Sequence, residues 1–574
     1  MTHTSLEYKA GNLADKIDAA LKDWQENDKV QRLWASDSKL WTGADEANWT
    51  GWLTIAESEL SEVSRIEELA KELKSAGITD VVLLGMGGSS LCPAMMATTF
   101  GKMDGHPKLS VLDSTAPEQI KHMEESINLE TSFFIVSSKS GSTLEPNIFK
   151  AYFFKRMQEV LGKDDVGEHF LAITDPGSHL EKLAHEDKFK GVFHGMPSIG
   201  GRYSALSNFG MVPSGLAGVD LNHFLGYAKD MAGSCASTAE VADNPGAMLG
   251  VILGVCATNG KDKVTLIASP GIHALGAWLE QLLAESTGKI GRGIIPVDQE
   301  PLGKSDVYGD DRVFAYIRLN DAPDAEQDRA VEELEKAGEV VVRLHCETKN
   351  HLSAELFRWE FATAVAGSII GIDAFNQPDV EASKVRAKEL TTEFEETGKI
   401  SAPEPIVETD GITLFTDDIN AGELKTRLMG DPSVETYIQA HLSRIAEGDY
   451  VDLAAFFEMS DKHLDALQES RKLIRDNKKV ATCLGFGPRF LHSTGQAYKG
   501  GPNTGVFFQI TADHPNDLDV PGHKYTFGLV IQAQAQSDFE VLVKRSRRAL
   551  HVHLGSDIEG GLAKLHEIFK RALA

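Results

Sequence analysis

The chain has 574 residues, 42% of them apolar and 25% charged, with 52 glycines and a formal net charge of -28. That length suits about three or four folding units of ordinary globular composition, and the negative field repels phosphodiesters and anionic lipid, so neither nucleic acid nor membrane is expected as a partner. The five cysteines, Cys92, Cys235, Cys256, Cys346 and Cys483, are odd in number, scattered and without a CxxC pair, which points to reduced, buried thiols.

The opening "MTHTSLEYKAGNLADKIDAALKDW" lacks the apolar core of a signal peptide, and the longest apolar run, "AMLGVILGVCA" (247–257), is too short to span a bilayer; a cytoplasmic location is expected. Residues 1–75 read as a helical arm in which Trp24, Trp34, Trp41, Trp49 and Trp52 supply anchors for docking. From 76 to 240 strands alternate with helices: "DVVLLGMGG", "KLSVLDST", "SFFIVSSKSG" and "HFLAITDP". A second cycle, 241–400, runs from "KVTLIASPGIHALGAWLEQLLAESTGK" through "RVFAYIRL" and "EVVVRLHC" to the helix "FRWEFATAVAGSIIGI". The polar stretch "TTEFEETGKISAPEP" (391–405) reads as a linker, and residues 401–574 resume the alternation with "VATCLGFG", "GVFFQIT" and "ALHVHLG". Nearly uninterrupted apolar strands separated by helices predict an α/β fold: two doubly wound parallel-sheet domains, a helical N-terminal arm and an additional α/β C-terminal region.

Four stretches carry chemistry. In "FIVSSKSGSTLEP" (134–146) a strand ends near Val136, and Ser142 with Glu145 three residues on fits a capping box, so a helix is expected from about residue 143. A loop of Ser138, Ser140, Ser142 and Thr143 at a helix N-terminus offers hydroxyls and unpaired amides to an anion such as phosphate, and Gly141 allows a tight turn. An ordinary capped polar loop has the same look. "LLGMGGSSLCP" (83–93) repeats the strand–glycine–hydroxyl layout, without the spacing of a Rossmann or Walker loop. Two such loops on neighbouring strands would flank one crevice at the carboxyl edge of a sheet, although close helix–strand packing would explain this second loop equally well.

In "GGRYSALSNFG" (200–210) two glycines precede Arg202, whose guanidinium can hold an anion or stabilise developing charge. In "EQLLAESTGK" (280–289) Gln281 and Glu285 share a helix face, placing an amide beside a carboxylate that can act as a proton-transfer base. A solvated surface Glu is the commoner outcome of periodicity alone. "HVH" puts His551 and His553 on one strand face, yet no third metal ligand accompanies them, and a structural role is expected.

Together, "LGMGGSSL", "SSKSGSTLEP", "GGRYSALSNFGMVP", "QLLAESTGK" and "DAFNQPDVEASK" (373–384) resemble, in order, the motifs of the glucose-6-phosphate isomerase (phosphoglucose isomerase) family, which is built on sugar-isomerase (SIS-type) domains. "RLWASDSKLWTGADEANWTGWL" and "GFGPRFLHSTGQ" are most similar to the isomerase half of transaldolase/isomerase fusions, here without the transaldolase half. The resemblance implies phosphate held by Ser138, the Lys139 backbone, Ser140, Gly141, Ser142 and Thr143, with Gly88 and Ser89 lining the pocket. It implies Glu285 as the base that moves a proton between C1 and C2 through a cis-enediol, Gln281 and Gln377 as substrate-binding amides, and Arg202 as the enediolate-stabilising cation. Lys384 corresponds to the ring-opening lysine.

One departure concerns the family's ring-opening His, which is followed by Gln four residues later and lies between the Glu and Lys motifs. His345 and His351 lack that Gln. The pattern occurs in "LHSTGQ", beyond the Lys motif, so ring opening is assigned to His492, with Gln496 at the expected spacing. Because the family receives this His from a neighbouring subunit, a homodimer or higher homo-oligomer is expected. Such chemistry needs no metal or cofactor. The expected reaction is reversible interconversion of glucose 6-phosphate and fructose 6-phosphate; isomerisation of another anionic hexose, such as a sulfonated sugar or mannose 6-phosphate, and a non-catalytic sugar-phosphate sensor are the alternatives.

Overall fold

The computed structural model describes residues 6–162, 166–401 and 403–574. The N-terminal arm is helical except for one short strand, β1 (Leu6–Lys9), which the charged, helix-rich surroundings hide in the sequence. Its tryptophans dock as expected. Trp24 and Trp52 are buried, Trp34 donates from its indole to the carbonyl of Cys235 (2.7 Å), and Trp41 to that of Ala364 (2.8 Å). Much of the receiving surface is the helix Leu352–Ile370, whose Phe357 and Phe361 meet Trp52 and whose faces are nearly all apolar and buried.

The first sheet contains β2 (Asp80–Leu84), β3 (Lys108–Leu112), β4 (Ser132–Ser137), β5 (Phe170–Thr174) and β6 (Gly191–His194), all parallel in the order β3-β2-β4-β5-β6. The second contains β7 (Lys263–Ala268), β8 (Ile295–Asp298), β9 (Arg312–Leu319) and β10 (Val340–Cys346), with β1 antiparallel on its edge, in the order β1-β10-β9-β7-β8. Residues beyond 403 form a third sheet from β11 (Val407–Thr409), β12 (Ile412–Phe415), β13 (Tyr450–Phe456), β14 (Ala481–Phe486), β15 (Gly505–Thr511) and β16 (Arg548–His553), in the order β11-β12-β16-β15-β13-β14. In each sheet the first parallel strand lies between the second and the third, with the fourth outside the third. The C-terminal region is thus a third doubly wound unit with the strand order of the other two.

The stretch 391–405 is not all linker. The helix Pro378–Thr397 runs through its first half and stops at Gly398, whose φ of +73° suits a left-handed C-cap. Its Thr and Glu residues are polar because this end of the helix is largely solvated, a pattern that resembles a loop when only polarity is weighed. All five cysteines are buried and free, and among the described residues no helix is long and apolar enough to cross a membrane. His551 and His553 both hydrogen-bond the Thr511 hydroxyl (2.7 and 2.9 Å), and His551 stacks on Phe415, which gives the pair a structural role.

The third unit packs against both others. Its edge strand β14 adjoins β8, and Thr482 donates from amide and hydroxyl to Glu300, which also pairs with the fully buried Arg312 (3.0 Å). At the carboxyl edge of β13 and β15, where an open α/β sheet ordinarily receives a ligand, the helix Pro117–Glu125 of the first unit is seated. His122 pairs with Glu458, the Met459 amide donates to Gln119 (3.1 Å), and His514 pairs with Glu118 (2.9 Å). The carboxyl edge of the third sheet is thus used for contact with the first unit.

Candidate active site

β2 and β4 are hydrogen-bonded neighbours, so the loops that follow them open side by side at the switch point of the first sheet. After β4, Ser138 is buried and its hydroxyl donates to Thr143 (3.3 Å), Ser140 and Ser142 share a hydroxyl bond (3.0 Å), and Gly141 turns at φ +69°. Lys139 points away and pairs with Asp175, leaving its backbone to the loop. Among the described residues none accepts from the Ser140 or Thr143 amide. These donors, at the start of the helix Leu144–Leu161, form a concavity whose chemistry suits an anion.

The helix starts as expected, but its cap does not. Thr143 is the N-cap, and the predicted Ser142–Glu145 box is absent. Glu145 is buried, and its Oε1 instead meets His492 Nε2 (3.0 Å) and accepts from Gln534 Nε2 (2.7 Å). Charged and amide partners from the third unit outcompete a backbone amide, because a charge-assisted bond away from water is the stronger one. Burial pushes the Glu145 carboxyl up, but the charge and hydrogen bond of His492, with a smaller contribution from Lys384, more than offset this and hold it below its ordinary 4.5. With the folded value depressed, the pair stabilises the docked third unit above pH 4.5, and that contribution is lost as pH falls through the lowered value.

After β2, Gly88 passes so close to the Gly201 carbonyl that a Cβ would lie 2.1 Å from its oxygen, and a Cβ on Gly87 would meet that of His492 at 2.9 Å. Ser89 is buried beside them. The loop 200–202 therefore rests on this turn and delivers Arg202, which is almost fully enclosed. Its guanidinium pairs with Glu285 Oε1 (3.1 Å) and donates to Ser286 Oγ (2.9 Å), Gln377 Oε1 (3.0 Å) and the carbonyls of Ala374 (3.2 Å) and Asn376 (2.9 Å). Gly88→Ala should displace this loop and lower kcat/KM, with a stability loss of about 1–3 kcal/mol for an overpacked contact; steady-state kinetics and a thermal melt check it, and a variant indistinguishable from wild type would refute the contact.

The helix Leu275–Thr287 carries Gln281 and Glu285 on one face, both buried. Gln281 Nε2 donates to Glu285 Oε2 (3.1 Å) and to the carbonyl of His492 (2.8 Å), while its Oε1 is buried without a partner and is left to accept from a ligand hydroxyl. The Glu, the Gln and the Arg foreseen from separate motifs thus form one cluster, and His492 joins it from the loop after β14 of the same chain. Gln496 explains the His-to-Gln spacing structurally: it donates to the Gly288 carbonyl (2.9 Å) and accepts from the Asp379 amide (2.9 Å), fixing the start of the helix Pro378–Thr397 against the end of the Glu285 helix.

Lys384, on that helix, stands apart. It is partly exposed and pairs with Glu381 (2.9 Å), and only its field reaches Glu145. Behind the Glu285 helix, a cavity of about 90 Å³ is lined by Glu280, Asp298, Arg471 and Ser493 among others. Burial raises both carboxyls, that of Asp298 to about 6. Glu145 and Gln534 were missed by sequence reasoning. For Glu145 the signal was present in "SGSTLEP" but had a local explanation; for Gln534 there was none.

Residues 63–298 match the family model described as phosphoglucose isomerase. The glucose-6-phosphate isomerase of Prochlorococcus marinus is 26% identical over 444 residues, 65% of this chain and 82% of that protein. That of Enterococcus faecalis is 25% identical over 434 residues, 67% of this chain and 95% of that protein. Among solved structures, a glucose-6-phosphate isomerase from Chlamydia trachomatis superposes with a TM-score of 0.58 at 19% identity, covering 69% of this chain and 90% of that one, a likeness of fold. The matched stretch holds both loops, Arg202, Gln281 and Glu285; Lys384 and His492 lie outside it.

Proposed function

We propose that this chain, whose residues 63–298 match the phosphoglucose isomerase family, is an aldose–ketose isomerase that interconverts glucose 6-phosphate and fructose 6-phosphate. The observation that carries this reading is the continuous cluster Glu145–His492–Gln281–Glu285–Arg202, within one chain, behind a loop of hydroxyls and amides.

The phosphate sits against Ser138, Ser140, Ser142, Thr143 and the Lys139 and Gly141 backbone, with Gly88 and Ser89 closing one side. Binding energy at that end holds the sugar in place for proton transfer at the other. His492, held by Glu145, exchanges the proton that opens the ring, and Lys384 contributes positive charge. In the open aldose, Glu285 takes the proton from C2 while the O1 carbonyl gains negative charge, which Arg202 stabilises; the O2 hydroxyl proton then passes to O1, and Glu285 returns its proton to C1 as C2 becomes the ketone carbonyl. Glu285 begins and ends as a carboxylate, so the cycle balances without an external oxidant. Gln281 accepts a sugar hydroxyl at its open Oε1, and Gln377 keeps the Arg202 guanidinium oriented.

The likeness of the flanking segments to the isomerase half of transaldolase/isomerase fusions extends this reading to residues outside the matched stretch. A homo-oligomer remains the family expectation, and because His492 meets Glu145 of its own chain (3.0 Å), each site is assigned the His of the same chain. The cytoplasm follows as the location of the substrates. The purified chain in EDTA should interconvert the two hexose phosphates, measured by coupled dehydrogenase assay. No turnover, or a higher kcat/KM for a sulfonated hexose or mannose 6-phosphate, would overturn the substrate assignment.

A further inference from the structure

Glu145 Oε1 receives two bonds from the third unit, and only one of them comes from His492. The other comes from Gln534, buried on the helix Phe527–Lys544. An amide side chain can present either its oxygen or its NH2 to a neighbour, and here the choice is determined by a second contact: the Thr115 hydroxyl, also buried, donates to Gln534 Oε1 (2.6 Å). With its oxygen taken, the amide must turn its NH2 to the carboxylate. Thr115 follows β3 of the first unit, close to Asp113, which Arg489 of the third unit grips with two bonds (2.8 and 3.0 Å). Thr115, Gln534, Glu145 and His492 therefore form a relay that crosses the boundary between units three times.

We infer that Gln534 is a positioning residue for ring opening: by donating to Glu145 it sets the carboxylate that orients and holds His492. The inference rests on the isomerase reading above. A staple between units would need only some polar contact there, whereas this amide shares one carboxylate oxygen with the His and has its own orientation locked. Losing the donor leaves Glu145 free to rotate off His492, and losing the Thr115 hydroxyl lets the amide flip and present its oxygen to a carboxylate. The chemistry at Glu285 is reached through Gln281 and is left intact.

The test uses the full chain with Gln534→Leu and, separately, Thr115→Val, each assayed on glucose 6-phosphate and on a 4,5-dideoxy hexose 6-phosphate that cannot close a ring. Gln534→Leu should lower kcat on the cyclic sugar about tenfold or more, the effect of one bond to a charged group, with the acyclic sugar changed less than about twofold on the same scale. Thr115→Val should move the ratio in the same direction by a smaller factor, and it carries the test alone if the leucine variant fails to fold. An unchanged cyclic-to-acyclic ratio in the folded variants would overturn the inference, since a purely structural role would slow both sugars together. Inactivity of the wild type on both sugars would instead defeat the isomerase reading.

Discussion

Glu285→Gln should abolish nearly all turnover, lowering kcat by about 10²–10⁴-fold, the usual contribution of a positioned general base, while the sugar phosphate still binds. The substitution is nearly isosteric and removes only the ability to accept the C2 proton. Gln281 keeps its bond to the His492 carbonyl, and the Arg202 guanidinium keeps Ser286, Gln377 and two main-chain carbonyls. It loses its counter-charge in an enclosed place, so some stability is lost, about 1–3 kcal/mol with those bonds intact. Calorimetry of 6-phosphogluconate binding separates the two effects: unchanged affinity with lost turnover locates the defect in proton transfer. Turnover within tenfold of wild type would remove Glu285 as the base.

His492→Ala should lower kcat on cyclic glucose 6-phosphate by about 10²-fold or more, at the low end of general acid–base contributions, and leave the acyclic 4,5-dideoxy substrate much less affected. The reason is positional. The imidazole is held on one side by Glu145, its backbone carbonyl is held on the other by Gln281, and the Gly87 backbone rests against its Cβ, so it has one orientation in the cluster. Because Glu285 and His492 meet within one chain, mixing inactive Glu285→Gln with inactive His492→Ala should restore nothing. A site shared between subunits would regain activity through mixed assemblies carrying one intact pair. Recovery on mixing, after denaturation and joint refolding, would show that the His acts across subunits after all; equal slowing of cyclic and acyclic substrates would remove it from ring opening.

These expectations depend on features of different legibility. The serine loop, the glycine turn after β2, Arg202, Gln281 and Glu285 are each written in a few consecutive residues, because an anion-binding turn needs small residues and hydroxyls together and a helix face repeats every three or four positions. Their grouping needed only the rule that adjacent parallel strands open at one edge. Glu145 is the instructive failure. Three residues after a serine, it satisfies every local requirement of a capping box, and the structure gives it to a His 347 residues away and a Gln 389 residues away. The polar run 391–397 misled in the opposite way, since a solvated helix end and a linker share a composition.

By itself the sequence determined the alternation of buried strands and helices, the tryptophan anchors of the arm and the chemical character of each loop, all consequences of short-range sterics and periodic burial. Tertiary structure alone decided that residues beyond 403 repeat the strand order of the first two sheets, that the helix Pro117–Glu125 packs at the carboxyl edge of their sheet, and that the loop after β14 brings His492 to Glu145. Those outcomes depend on which distant surfaces exclude water from one another. A buried carboxylate takes the strongest donors that packing brings to it, and no window of neighbouring residues contains that information.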